Sequence, residues 1–125
     1  MTETRYTRDH EWVRLEDDGT LTVGITDHAQ EALGDIVFVE LPALDLAVIA
    51  AQAIATVEST KAASDVYAPI SGTIVEVNDT VVEDPAVINA DAEGDAWFWR
   101  MEAEDDEAFE DLLDREAYDA FLETL

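Results

Sequence analysis

Cysteine is absent from these 125 residues. That excludes disulfides, thiolate zinc sites, iron–sulfur clusters and cysteine nucleophiles, and the expected compartment is the cytoplasm. Basic residues are few: six Lys and Arg stand against 31 Asp and Glu, for a net charge of −25. Such a surface repels nucleic acid and anionic membranes, so neither is expected as a partner. No run of 18 apolar residues occurs, and the longest unbroken one is Leu46 to Ala51, so no membrane span is expected. The opening stretch Met1-Thr2-Glu3-Thr4-Arg5 lacks an apolar core behind a basic region, so no signal peptide is expected. Lysine is the scarcest cation: Arg5, Arg8, Arg14, Arg100 and Arg115 accompany a single Lys61.

What is present suffices for a folded domain. Hydrophobic residues make up 48% of the chain, far more than an acidic disordered tail offers. The acids are spread along the whole length rather than gathered in one block. They read as a solvated shell whose self-repulsion salt relieves, since the Debye length falls from about 10 Å at 0.1 M to about 3 Å at 1 M. A halophilic source is the expectation. Composition leaves two readings of Lys61: chance in a lysine-poor chain, or an amine kept because arginine is effectively never deprotonated.

Tyr6-Thr7 and Glu11 to Leu15 read as strands. Leu21 to Ile25 alternates like a third, joined to the second through the turn signal Asp17-Asp18-Gly19-Thr20. Thr26 or Asp27 can cap a short helix near 27–33 that ends at Gly34. Further strands are predicted at Ile36 to Leu41, Ala53 to Val57, Ser64 to Ala68, Gly72 to Val77 and Trp97 to Met101. Asn78-Asp79 and Glu83-Asp84-Pro85 mark turns. The segment Ala43 to Gln52 resists a reading. Leu112, Leu113, Tyr118, Phe121, Leu122 and Leu125 fall at helical spacing, so one or two helices are expected from about Glu104 to the end. Gly34 to Val39 matches Gly72 to Val77 at glycine and three apolar positions, 38 residues apart. The repeat suggests two half-sheets joined by a hairpin with Lys61 near its tip. His10 and His28, the only histidines, are not surrounded by a metal-ligand cluster. No phosphate loop or serine-nucleophile elbow appears.

The segment Val57-Glu58-Ser59-Thr60-Lys61-Ala62-Ala63-Ser64-Asp65 through Gly72 resembles the lipoylation motif of the glycine cleavage system H-protein family. So do Asp9 to Val13, Val23 to Gln30, Leu33 to Pro42 and Leu113 to Tyr118. The resemblance implies a mostly β fold, the barrel-sandwich hybrid of lipoyl and biotinyl domains, with the short helix near 27–33 and a C-terminal helical segment. It implies one carrier domain over 1–125, of which about 1–103 form the β hybrid and about 104–125 pack on it as helices.

The same resemblance assigns roles. Lys61 carries lipoate as lipoyl-lysine. Glu58, three residues before it, and Gly72, eleven after, are read by the lipoate ligase or transferase. No metal and no catalytic residue of its own is expected. The implied cycle has three partners. A pyridoxal-phosphate glycine decarboxylase loads an aminomethyl group, a tetrahydrofolate-dependent aminomethyltransferase removes it, and an FAD-containing dihydrolipoyl dehydrogenase reoxidises the arm. Tethering can give an effective concentration on the order of mM at each docked site. Glu11 and Asp65 are placed by a cleft where a carboxylate holds the ammonium of the loaded arm. At about 4 Å the gross attraction is about 4 kcal/mol for an effective dielectric near 20.

Two rival readings keep the fold: a carrier that relays octanoyl or lipoyl groups to other acceptors, and an unmodified binding domain. The chain departs from the family where glycines are usual, at Asp45, Ala51, Ala55 and Ala96, and in its apolar Leu46, Val48 and Ile49. These departures put turn geometry in question and leave an apolar patch as an expectation.

Overall fold

The computed structural model describes residues 3–125; Met1 and Thr2, from the polar opening stretch, lie outside the described residues. Among the described residues nine strands and four α-helices follow one another. β1 (Glu3–Tyr6), β2 (Glu11–Leu15) and β3 (Leu21–Ile25) form a meander, and β2 and β3 are the expected hairpin, with Val13 opposite Val23. At its turn Gly19 takes φ +90°, and Asp18 accepts from the Thr20 N–H and hydroxyl. α1 (Asp27–Leu33) is capped by Thr26, whose hydroxyl accepts from the Ala29 N–H, and ends at Gly34 with φ +83°. β4 (Ile36–Glu40), the two-residue β5 (Ala47–Val48), β6 (Ala53–Ser59), β7 (Ala63–Tyr67) and β8 (Gly72–Val77) follow. Next come α2 (Asp79–Glu83), α3 (Ala86–Asp91), β9 (Trp99–Ala103), a 3-10 helix (Asp106–Asp111) and α4 (Arg115–Leu122).

The strands form two sheets. One has six strands in the order β1-β2-β3-β9-β8-β5, the other three in the order β4-β6-β7. The fold is thus mostly β, open rather than a closed barrel, with few helices. The two halves of the sequence repeat fall in different sheets, β4 in one and β8 in the other, and the β6–β7 hairpin lies between them in the chain.

The main core joins both sheets through Val13, Leu21, Val23, Val39, Val57, Ile74, Ile88 and Met101, all close to fully buried. A second cluster gathers Tyr6, Trp12 and Tyr118, and so fastens α4 to β1. The Tyr6 and Tyr118 rings stack at 4.8 Å. Trp12 lies flat across Gly24, its partner in register, where a Cβ would come within 2.8 Å of the indole.

Two segments differ from the sequence reading. Asn78-Asp79 and Glu83-Asp84-Pro85 are not simple turns but helix starts: the Asn78 side chain caps α2 and Pro85 opens α3. The last strand begins at Trp99 rather than Trp97. Phe98 and Trp99 are both buried, whereas Trp97 is half-buried with the Arg100 guanidinium 4.5 Å over its ring. The C-terminal helices fall where the apolar spacing put them. No helix among the described residues is long and apolar enough to cross a membrane.

Candidate functional site

Lys61 occupies the turn between β6 and β7. The strands pair to the end, Glu58 opposite Ala63, and the turn closes with Ser59 N–H donating to the Ala62 carbonyl at 2.7 Å. The Ser59 hydroxyl oxygen accepts from the Lys61 and Ala62 N–H groups. Small neighbours and full exposure from Thr60 to Asp65 leave the lysine open to a large partner. Lys61 makes no ion pair or hydrogen bond through its amine among the described residues.

The tip is held from outside the hairpin. The Thr60 N–H donates to the Asp35 carbonyl at 3.1 Å. The Lys61 stem lies over Gly34, where a Cβ would sit 2.8 Å from the lysine Cε. Gly34 therefore serves twice: its positive φ ends α1, and its missing side chain makes a seat for the lysine stem. The Gly34–Ile36 stretch is clamped in turn by Asn89 of α3. Its amide donates to the Gly34 carbonyl and the Gln30 side chain, and its oxygen accepts from the Ile36 N–H, each at 2.9 Å. Neither the seat nor the clamp followed from the sequence. The only signal was Gly34 as a helix stop.

Glu11 sits at the other end of the hairpin. It is 2% exposed, and its carboxylate accepts from the Thr7 hydroxyl and the Tyr67 N–H, both at 3.0 Å. Burial pushes its pKa up to about 7 against the lowering effect of those two hydrogen bonds, with nearby Asp9 pushing the same way as burial. It borders a cleft of about 210 Å³ whose walls include Thr7, Asp9, Ala51, Ala68 and Leu113. Asp65 does not line this cleft; it stands exposed on β7 opposite Thr56. The structure therefore does not bring Glu11 and Asp65 together in that pocket.

Glu58 and Gly72, the remaining sequence-predicted positions, also separate. Glu58 is exposed beside the tip. Gly72 is buried in β8 of the other sheet, where a Cβ would meet the Glu102 carbonyl oxygen at 2.1 Å. Close packing of β8 on β9 alone requires glycine there. His10 and His28 do meet, ring centres 4.5 Å apart, and His10 Nδ1 shares a hydrogen bond with the Tyr118 hydroxyl at 2.8 Å. Burial, then the neighbouring His28, holds the His10 pKa down. No group of three potential metal ligands forms among the described residues.

Comparison with known proteins decides the family. The family model for the glycine cleavage H-protein matches residues 4–125. The chain belongs to the glycine cleavage H-protein family. It is 59% identical over 125 residues to the glycine cleavage system H protein of Acidiphilium cryptum, covering all of both chains. It is 51% identical to that of Escherichia coli over 121 residues, 97% of this chain and 94% of the relative. The crystal structure of a glycine cleavage system H protein from Mycobacterium marinum superposes with a TM-score of 0.86 at 41% identity, covering 98% of each chain. Members of this family are lipoyl carriers of glycine cleavage without catalytic activity of their own. With the family the chain takes the shuttling role and a covalently attached lipoate.

Proposed function

We propose that Lys61 is the lysine that bears the lipoyl group. One observation carries this reading: the chain's single lysine stands on an exposed, braced hairpin tip, its stem seated over a glycine and its amine unpaired. The residues fit the group, since the amine makes no bond among the described residues and Gly34, lacking a side chain, leaves room for the stem. When bound, the lipoyl ring supplies the sulfur chemistry that takes up a one-carbon amine and carries electrons.

The chain's own residues do the rest. The bracing at Asp35 and Gly34 fixes where the arm starts. Glu11 offers a desolvated carboxylate at the far end of β7, about 13 Å from Ala63 at roughly 3.3 Å per residue. An ammonium entering that cleft favours the charged form of Glu11 and is held by it, away from water. Asp65, exposed between tip and cleft, adds negative charge along the way. Glu58 and Gly72 are read by the attaching enzyme in this proposal, Glu58 directly and Gly72 through the fold it permits. The partners are glycine decarboxylase, aminomethyltransferase, dihydrolipoyl dehydrogenase and a lipoate ligase or transferase, met in the cytoplasm by one carrier domain spanning 1–125. The −25 charge supports a salt requirement and a halophilic source: unfolding midpoints should rise between 0.1 and 1 M salt, and full stability without salt ends that part of the reading.

Intact mass of protein purified from its native host tests the core proposal. The expected spectrum carries one lipoyl group, absent from Lys61→Arg. A lipoyl group retained on Lys61→Arg, or none on the native chain, sinks the assignment. Glu11→Gln should speed loss of ammonia and formaldehyde from the loaded carrier. An unchanged rate removes Glu11 from the holding role.

A further inference from the structure

Two large apolar side chains stand exposed beside Lys61: Val37 is 55% and Phe38 45% accessible on β4. Regular alternation would hide one of them, because successive strand residues face opposite sides. Here the register of β4 on β6 shifts between Ile36 and Phe38, so Ile36 and Val39 enter the core while Val37 and Phe38 both stay outside. Bulges of this kind re-aim side chains and are common at sheet edges and beside functional sites. β4 is an edge of its sheet, where proteins ordinarily place charge rather than display phenylalanine.

Three contacts tie this pair to the lysine. Phe38 pairs with Glu58 and Ile36 with Ser59, the residues that lead into the tip. The tip is bonded to Asp35, one residue before β4. The Lys61 stem lies over Gly34, so the amine is carried toward the side from which β4 emerges. Exposed Asp35, Glu40 and Glu58 rim the patch, and none of them is in an ion pair among the described residues. An enzyme that works at the end of the arm can stand off by the arm's length. The enzyme that installs the arm must reach Nζ itself, and so must close over the start of β4.

We propose that Val37 and Phe38 are the docking surface for the enzyme that attaches the lipoyl group to Lys61, a partner presenting an apolar cleft bordered by basic side chains. The proposal rests on the assignment of Lys61. In the step it serves, Nζ attacks the carbonyl carbon of a lipoyl adenylate. The amide C–N bond forms, the acyl C–O bond of the mixed anhydride breaks, AMP leaves with that electron pair, and the lysine ammonium releases two protons.

The test uses the full-length unmodified protein with a lipoate–protein ligase, lipoate and ATP, followed by intact mass over time. The double variant V37S/F38S should raise the KM for the carrier at least tenfold and leave kcat within twofold, with its melting curve retained. Glu58→Lys, which keeps the apolar pair but opposes a basic border, should raise KM in the same direction. Raising salt should raise KM for the wild type. Ile49→Ser, exposed beyond the opposite end of β6, should change nothing. A wild-type KM for V37S/F38S overturns the docking surface while leaving Lys61 as the lipoyl site, whatever Glu58→Lys does, because Glu58 is also read directly. So does a fall in kcat at constant KM, or normal attachment with impaired loading by glycine decarboxylase. Acylation of Lys61→Arg, or none of the wild type, fells the Lys61 assignment instead.

Discussion

The two ends of the β6–β7 hairpin solve opposite problems. At the tip a cation is kept in water: Lys61 is exposed, and the hairpin is steadied through backbone bonds to Asp35 and the Asn89 clamp rather than by burial. At the base an anion is kept out of water: Glu11 is buried and held by one hydroxyl and one backbone N–H. The tip forgoes hydrophobic stabilisation so that its amine is reachable. The base accepts a desolvation cost, which raises the affinity of its carboxylate for a proton. In the function proposed above, the tip serves loading and the base keeps the load.

Gly72 offers the sharpest way to break this division, because its motif position assigns it to the tip and its packing to the core. Gly72→Ala drives a methyl against the Glu102 carbonyl, a backbone atom that cannot step aside. The expected loss is about 3 kcal/mol, at the upper end of ordinary overpacking. Urea unfolding checks it. Undiminished stability with lost lipoylation would return Gly72 to direct recognition.

At the base the next effect is pH-dependent. Glu11 rises from 4.5 to about 7 on folding, so between those values the folded chain holds a proton that the unfolded chain has lost. That contribution is full below about pH 4.5 and disappears as pH rises through about 7. Between pH 5 and 8 wild type should therefore lose about 2 kcal/mol relative to Glu11→Gln, which cannot ionise. Denaturant unfolding of both proteins across that range, at constant high salt, makes the comparison. A constant gap between them would mean that Glu11 does not titrate there.

Asn89→Ala strikes the tip with a smaller effect. It leaves the Ile36 N–H and the Gly34 carbonyl without their partner, a cost of about 1.5 kcal/mol for partly buried groups. Hydrogen exchange should quicken at Thr60 and Lys61 more than at Val66 or Tyr67. Equal acceleration along β7 would show that the clamp steadies the sheet at large and not the tip.

How much of this was legible follows from which interactions are local. The Lys61 hairpin could be read because strand alternation, small turn residues and a motif all lie within one stretch. The α1 helix could be read because Thr26 and Gly34 are caps next to what they cap. Glu11 was placed by resemblance, but its burial depends on Thr7 and on Tyr67, 56 residues away, and strand alternation predicts no such partner for a carboxylate beside Trp12. α2 and α3, five and six residues long, are too short to develop a helical period, so their caps passed for turns. Val37 and Phe38 hid behind the bulge, since a strand read with strict alternation buries one of them.

The segment Ala43 to Gln52 was illegible for a reason that is itself testable. Glycine is the usual mark of a left-handed turn, and here non-glycine residues adopt it: Asp45 at φ +64° and Ala51 at φ +72°. For alanine this conformation costs about 1 kcal/mol against glycine. Part of the gain returns as greater freedom of the unfolded chain when glycine replaces alanine. Ala51→Gly should thus stabilise the protein slightly, by about 0.5 kcal/mol. Asp45→Gly should gain less, because a short polar side chain tolerates the left-handed region better than alanine does. Matched denaturation curves read the difference. The Ala51 N–H already bonds to the Ala68 carbonyl at 2.8 Å, so the turn is held at the hairpin base by its backbone. A loss of stability in Ala51→Gly would instead mean that the alanine methyl, which borders the Glu11 cleft, contributes more to that wall than its strained backbone takes away.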